Sequence, residues 1–151
     1  MVQITNSSAF APQRWGYFIF GVIVVKKFTL KKDERLKRRK IIEQLFSEGK
    51  SVAVFPIRVQ YRLYEKELAT PLQAGFSASS RNFKKAVDRN RIKRLMREAY
   101  RLQKIPLQEA LHANNRQLGL FFIYTGKELP DYKTVSDRIA VILKKLAALL
   151  N

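Results

Sequence analysis

The run of residues 118–125 restricts the possible folds of this chain more than any other feature of the sequence. Its letters, LGLFFIYT, are apolar or aromatic at nearly every position, and its length is that of one β-strand. A strand with one face in solvent alternates apolar and polar residues, and this run does not alternate. We therefore expect a strand that is buried on both faces, in a sheet covered by other elements.

Apolar residues recur with helical spacing in three long segments. These are residues 31–47, which end just before Gly49, residues 85–103 and residues 132–150. A shorter helical connector is expected at residues 106–114, between the second long helix and the apolar strand. The chain therefore supplies enough helices to cover a small sheet.

Strand patterns occupy the interval between the first two helices. Alternation of apolar and polar residues predicts a long strand at residues 51–64, in which Pro56 requires an edge or a bulge. Residues 72–79 are predicted to form the second strand of a hairpin, followed by a loop at residues 80–84. The order helix, strand, strand, helix, strand, helix is typical of an α+β sandwich in which helices cover a small sheet.

The length of 151 residues and the hydrophobic content of 46% suit one compact domain. We place this domain at residues 26–151 and treat residues 1–25 as an N-terminal extension of uncertain status. The apolar run at residues 15–25 is too short to span a bilayer, and two lysines follow it where a signal peptide would have small residues. The alternatives for it are an interfacial anchor, an extra strand, or a segment upstream of the natural start.

Positive charge is concentrated in two short windows. The chain has 30 Lys and Arg against 12 Asp and Glu, a formal charge of +18. Residues 26–40 hold nine basic and two acidic side chains, and residues 81–104 hold ten and two, so the windows carry +7 and +8. Such polarised segments favour a defined polyanion, most simply a nucleic acid, over general solvation.

The sequence lacks the groups that would make the chain itself a catalyst. Cysteine is absent, which excludes disulfides, thiolate metal ligands and cysteine nucleophiles, and fits the reducing cytoplasm where we expect the protein. The single histidine, His112, has no partner at ligand or acid–base spacing, and the 12 acidic residues form no paired motif. We predict no catalytic residue and no metal bound by protein side chains.

The helix predicted at residues 85–103 separates an apolar stripe from a basic ridge, when residues advance by about 100° each. The stripe consists of Ile92, Leu95, Met96, Ala99 and Leu102. The ridge consists of Asn90, Arg94, Arg97 and Arg101, flanked by Lys93 and Lys104. Like charges at these spacings destabilise an isolated helix, so the ridge is expected to serve an external partner. Bidentate arginine and a donor–acceptor asparagine suit folded RNA; the alternatives are a solvated basic face and a DNA major-groove helix.

The sequence around this ridge resembles a known family. Residues 85–98, KAVDRNRIKRLMRE, resemble the Arg-Asn-Arg signature of the bacterial ribonuclease P protein component. GFSAS at residues 75–79 is similar to the strand that precedes the signature in that family, and FSEGKS at residues 46–51 to the end of its first helix. The resemblance covers about residues 28–150.

The resemblance implies a small α/β sandwich with a left-handed βαβ crossover, like domain 2 of ribosomal protein S5. It implies a protein subunit of ribonuclease P, in which the catalytic RNA removes the 5′ leader of precursor tRNA with Mg²⁺ held mainly by the RNA. One protein is expected to bind one RNA together with the precursor tRNA, and no membrane is expected to take part.

The family's residue roles carry over to matching positions of this chain. The implied RNA-binding residues, to which the ridge adds Arg101, are Arg89, Asn90, Arg91, Lys93, Arg94 and Arg97. A cleft for the single-stranded leader, between the first helix and the sheet, is implied to contain Arg38, Phe46 and Tyr61. The family's aromatic residue one turn before Phe46 is Ile42 here, and its strand tyrosine falls at Gln60 or Tyr61. A ribosomal-type RNA-binding protein and a protein that binds anionic membranes are the competing hypotheses.

Overall fold

A computed structural model of the protein describes residues 28–150. The predicted extension at residues 1–25 lies outside the described residues, and the domain boundary at residue 26 stays a prediction. From Lys31 onward the chain forms one compact unit. After a short 3-10 helix at Lys32–Glu34, its elements are α1 (Arg39–Glu48), β1 (Lys50–Val54), β2 (Ile57–Tyr64), β3 (Leu72–Ala78), α2 (Ala86–Gln103), α3 (Ile105–Ala113), β4 (Gln117–Tyr124) and α4 (Tyr132–Leu150).

The four strands form one mixed sheet in the order β1-β2-β4-β3. β2 is antiparallel to both β1 and β4, whereas β3 runs parallel to β4. The parallel pair is connected through α2 and α3, because two neighbouring parallel strands require a long crossover. The α+β class predicted from the sequence is confirmed.

The predicted single strand at residues 51–64 is wrong. The chain turns at Phe55 and Pro56, so β1 and β2 are two antiparallel strands and β1 forms an edge of the sheet. Proline has no N–H to continue the ladder. Its carbonyl instead accepts hydrogen bonds from the backbone and the hydroxyl of Thr125, at 2.8 and 3.0 Å.

The predicted hairpin between the second strand and the first is also wrong. β3 does not pair with β2, because β4 lies between them and uses both of its edges for hydrogen bonds. The intervening loop is fixed to β4, since the side-chain amide of Gln117 accepts from the Leu68 N–H at 2.9 Å and donates to its carbonyl at 3.0 Å.

The first helix begins later than predicted. Arg35 and Leu36 are extended, because Arg35 forms a β-bridge with Ala74 and the Leu36 N–H donates to the Ala74 carbonyl at 2.9 Å. α1 therefore starts at Arg39, and its predicted end before Gly49 is confirmed. Residues 31–47 form an α-helix only in their second half.

Helices lie on both faces of the sheet. On one face, the Tyr64 hydroxyl donates to the Ile41 carbonyl of α1 at 3.4 Å. On the other, the ring of Tyr100 on α2 packs 5.5 Å from that of Phe122 on β4, measured between centroids. Along β4 the residues that face α2 are fully buried, but Phe121 and Ile123 on the α1 side are only partly buried. The predicted burial of this strand is thus complete on one face and partial on the other, since the ten-residue α1 does not cover the whole sheet.

Candidate nucleic-acid interface

α2 is anchored in the core by one side. Ile92, Met96, Ala99 and Tyr100 are buried, and the Tyr100 ring contacts Phe76 and Phe122. The stripe predicted from the sequence is rotated relative to this, because Leu102 is 42% exposed. Tyr100 and Leu102 lie at equal angles on either side of Ile92 on the helical wheel, so periodicity alone could not choose between them.

The opposite side of α2 carries the predicted RNA-binding residues with different degrees of exposure. Asn90, Arg91 and Arg94 are exposed. The other four predicted positions are partly buried, and they are Arg89, Lys93, Arg97 and Arg101. The rotation of the helix accounts for one of these differences, since it turns Arg97 toward the protein and Arg94 toward solvent.

Arg89 is partly engaged by its own chain. Its Nη1 donates to the carbonyl oxygens of Phe83 at 2.8 Å and Lys84 at 2.7 Å, just before the helix begins. These bonds fix the loop between β3 and α2. Arg89 therefore has a structural role at the start of the helix besides the RNA contact that the sequence predicts.

Arg101 is partly neutralised by an acid on the same helix. Its guanidinium forms an ion pair with Glu98 three residues earlier. Hydrogen bonding from Arg101 lowers the pKa of the Glu98 carboxyl, and the same bond raises the pKa of Arg101. Arg101 thus offers less unbalanced charge than Arg94.

Lys104 was predicted to flank the ridge, and this is wrong. It is 1% exposed, and its ammonium donates to the buried carboxylate of Glu34. Gln108 donates to the same carboxylate oxygen at 3.0 Å. Glu34, which pairs with this lysine, belongs to the other basic window of the sequence. No local sequence pattern connects the two residues.

Arg97 reveals a neighbour that the sequence reasoning missed. Burial lowers the pKa of Arg97, and the positive charges of Arg35 and Arg94 lower it further. Arg35 belongs to the first basic window and is exposed. The ion pair between Glu34 and Lys104 also joins the two windows, so the fold brings part of residues 26–40 beside residues 81–104.

A cleft lies between α1 and the sheet. Phe46 of α1 is 45% exposed, and its ring meets Phe121 edge-on with the centroids 5.2 Å apart. Gln60 stands directly opposite Phe121 in the ladder, so it faces the same cleft. Arg38 lies at the start of α1, exposed, and donates to the Glu67 carbonyl at 3.3 Å. Phe121 was not among the predicted cleft residues, because the run at residues 118–125 does not alternate and so gives no indication of which of its side chains face α1.

Tyr61 is not brought together with Phe46. Successive residues of a strand point to opposite faces, and Arg62 and Tyr64 point to α1, as the 2.8 Å ion pair from Arg62 to Glu48 shows. Tyr61 therefore lies on the face away from α1. Of the two positions that the sequence left open, Gln60 is the one on the side of the cleft.

Sequence comparison decides the family. The Ribonuclease P family model matches residues 30–147. The chain belongs to this family. The resemblance seen at residues 85–98 is thereby confirmed. Members of the family are protein subunits of ribonuclease P, a ribonucleoprotein endoribonuclease that processes the 5′ ends of precursor tRNA. This chain is such a subunit, and it associates with ribonuclease P RNA.

Relatives agree along most of the domain. The chain is 40% identical over 120 residues to the ribonuclease P protein component of Porphyromonas gingivalis, covering 80% of this chain and 88% of that protein. Over 126 residues it is 33% identical to the component of Chlorobaculum tepidum, covering 78% and 82%.

Solved structures of ribonuclease P proteins have a similar fold. The protein from Thermotoga maritima aligns with a TM-score of 0.57 and 26% identity, over 74% of this chain and 96% of that chain. The protein from Staphylococcus aureus aligns with a TM-score of 0.57 and 21% identity, over 80% and 100%. The second likeness bears on the fold alone.

Two further properties concern residues 28–150 only. Among them, no group of three or more His, Cys, Asp or Glu side chains is arranged to hold a metal ion. No helix in that part of the ribonuclease P protein has the length and apolar character needed to cross a membrane.

Proposed function

We propose that this ribonuclease P protein docks on the catalytic RNA through the outward side of α2 and binds the 5′ leader of precursor tRNA in the cleft beside α1. The observation that carries the first part is a row of exposed Asn90, Arg91 and Arg94 on a helix whose other side is fixed in the core. A rigid helix presents its donors at set spacings, which suits a folded RNA backbone better than a flexible basic tail would.

The chemistry of the exposed row fits phosphate and base edges. Arg91 and Arg94 can each give two parallel N–H donors to one phosphate, and Asn90 can both donate and accept. No acidic side chain within residues 28–150 forms an ion pair with Arg91 or Arg94. Their charge is therefore available to an external anion. Arg89, Lys93, Arg97 and Arg101 complete the proposed RNA-binding set.

The cleft beside α1 suits a single strand. Phe46 exposes nearly half of its surface and is supported from behind by Phe121, so a base can stack on it. Gln60 adds an amide on the same face, and Arg38 adds a charge for the backbone. Tyr61 was predicted for this cleft from the family resemblance; its position on the opposite face supports Gln60 instead.

The protein's contribution to cleavage is binding energy. We propose that the RNA performs the hydrolysis with Mg²⁺ held mainly by RNA, that one protein acts with one RNA, and that this occurs in the cytoplasm without a membrane. Membership in the family supports these statements. The connection from β3 through α2 and α3 to β4 joins neighbouring parallel strands, and we propose that it is the left-handed crossover of a fold like domain 2 of ribosomal protein S5.

Cleavage of a leader-bearing precursor tRNA by a bacterial ribonuclease P RNA tests the proposal. Adding the protein is expected to lower the Mg²⁺ concentration needed for cleavage, because basic side chains offset repulsion between the two RNA backbones. No stimulation at low Mg²⁺, together with equal affinity for precursor and mature tRNA, would indicate a general RNA-binding protein.

A substitution at Phe46 tests the proposed binding of the leader in the cleft. Phe46→Ala is expected to weaken binding of precursor tRNA by about 1–3 kcal/mol per stacked base and to leave binding of mature tRNA unchanged. Leu149→Ala is the matched control, since Leu149 is 59% exposed on α4 and apolar. An equal loss with mature tRNA would contradict leader binding at Phe46.

A further inference from the structure

The segment before α1 presents an arginine beside the basic side of α2. Arg35 forms a β-bridge with Ala74 of β3, and the adjacent Leu36 N–H donates to the Ala74 carbonyl at 2.9 Å. On the other side, Glu34 is joined to Lys104 at the end of α2 by a buried ion pair. The backbone of Arg35 is thus fixed from both directions while its side chain is exposed.

Arg94 and Arg97 bring two more guanidinium groups to the same place. Arg94 and Arg97 lie three residues apart on α2, so their side chains are neighbours on the helix surface. Arg35 approaches from the adjoining segment, whose Glu34 is joined to the end of α2, and its positive charge acts on Arg97. Within residues 28–150, none of the three side chains forms a hydrogen bond or an ion pair. Three arginines elsewhere in the same range do pair with acids, and these are Arg39, Arg62 and Arg101.

Three like charges without an acid repel one another, so the arrangement destabilises the free protein. The cost is reduced when an anion with several oxygen atoms accepts hydrogen bonds from all three groups. A phosphate suits this role because its oxygens match the paired N–H donors of a guanidinium. The partial burial of Arg97 strengthens such a contact, since a less solvated donor interacts more strongly.

We propose that Arg35, Arg94 and Arg97 form one site for a phosphate of the catalytic RNA backbone, with Arg35 supplied from outside the signature helix. The inference rests on the proposed docking of α2 and extends that surface to the edge of β3. A free phosphate ion has the same chemistry, and the experiment separates it from RNA.

The test measures binding of the full chain to a bacterial ribonuclease P RNA over roughly 50 to 200 mM KCl. Arg35→Gln is expected to weaken binding severalfold and to reduce the slope of log affinity against log salt by about one unit. Arg39→Gln is the matched control, because Arg39 is an exposed arginine four residues further along the chain, at the start of α1, and is already paired with Glu43 at 3.0 Å. It should leave both quantities nearly unchanged. Arg35→Lys should restore the slope and only part of the affinity, since lysine keeps the charge without the paired donors.

Thermal unfolding of the free protein gives a readout that distinguishes charge from structure. At low salt, Arg35→Gln is expected to raise the unfolding midpoint by relieving repulsion, whereas loss of a structural side chain would lower it. The same measurement with sodium phosphate, against chloride at equal ionic strength, reports binding of the free ion. Phosphate stabilisation that depends on Arg35, combined with unchanged RNA binding, would overturn the assignment to RNA.

Parallel variants separate the failure of this site from the failure of the proposed docking. If Arg94→Gln and Arg97→Gln weaken RNA binding and Arg35→Gln does not, the role of Arg35 is refuted and docking through α2 stands. If none of the three variants has an effect, both the site and the docking surface are refuted.

Discussion

Replacing Glu34 by glutamine removes one half of an ion pair buried between the segment before α1 and the end of α2. Glu34 is 8% exposed and Lys104 is 1% exposed. One carboxylate oxygen accepts from Lys104 and, at 3.0 Å, from Gln108, while the other accepts the Lys31 N–H at 2.8 Å. This single carboxylate therefore joins the segment before α1, which includes Arg35, to the end of α2 and to α3.

The expected cost follows from the burial of both partners. Removing one member of a buried ion pair costs about 3–5 kcal/mol, because the remaining charge stays in a poorly solvated place. A domain of this kind has a total unfolding free energy of about 5–15 kcal/mol, so Glu34→Gln should remove about a fifth of it or more. Replacing both partners, as in Glu34→Gln with Lys104→Met, is expected to cost less than the sum of the single changes by about 2 kcal/mol or more, since no buried charge then remains.

Urea unfolding at neutral pH measures all four proteins of this double-mutant cycle, with equal m-values as evidence that the same transition is compared. Arg39→Gln serves again as control, since its pair with Glu43 is 91% and 63% exposed and such pairs are worth about 0–1 kcal/mol. Single changes that add to within about 0.5 kcal/mol would refute the reasoning, because they would show that the two charges do not depend on each other.

Three further perturbations have expected outcomes. Burial, with the negative charge of Glu34 in addition, raises the pKa of Tyr100 well above its ordinary 10.0, so its contribution to stability is complete below pH 10 and is lost as pH rises further. Tyr100→Phe should flatten the alkaline fall of the unfolding free energy by up to about 1.4 kcal/mol per pH unit; an unchanged profile would contradict this. Gly49→Ala should cost about 1–3 kcal/mol or more by urea unfolding, because its Cβ would overlap the Leu45 carbonyl oxygen and lie 2.9 Å from that of Tyr61. Gly75→Ala would place a Cβ 2.6 Å from the Phe121 ring; it should weaken precursor binding more than mature tRNA binding, and equal effects would contradict the support of the cleft by this ring.

The later helices are predictable from the sequence because each turns one apolar side toward the core. α2, α3 and α4 begin and end within one residue of the segments that periodicity predicts. Strand partners are not predictable in this way. Alternation specifies which side chains share a face, but it contains no information on which strand lies alongside. β2 and β3 therefore suggested a hairpin, although β4 separates them.

The start of α1 illustrates how tertiary contacts override a local pattern. Residues 31–38 have suitable helical spacing, yet the bridge from Arg35 to Ala74 and the burial of Leu36 require an extended backbone. Both partners of this contact are about forty positions apart. A stretch of sequence short enough to be assessed for helical periodicity does not include both residues.

Contacts between distant residues also limit the prediction of the candidate site. The sequence gives the number of charged side chains, whereas RNA binding depends on the charges that the fold leaves without a partner. Glu98 neutralises Arg101 over three residues, and the carbonyls that engage Arg89 are five and six residues away. Such contacts lie within the reach of sequence reasoning. Lys104, in contrast, is absent from the RNA-facing surface because it pairs with Glu34, seventy residues away. Arg35, from the other basic window, lies beside that surface. The proposed RNA-binding surface is therefore shorter along α2 than a helical wheel suggests, because it lacks Lys104. It extends further to the side of α2, because it includes Arg35. Two segments fixed relative to each other place donors across the surface as well as along α2, so they can position a folded RNA through more phosphate contacts than the helix offers alone.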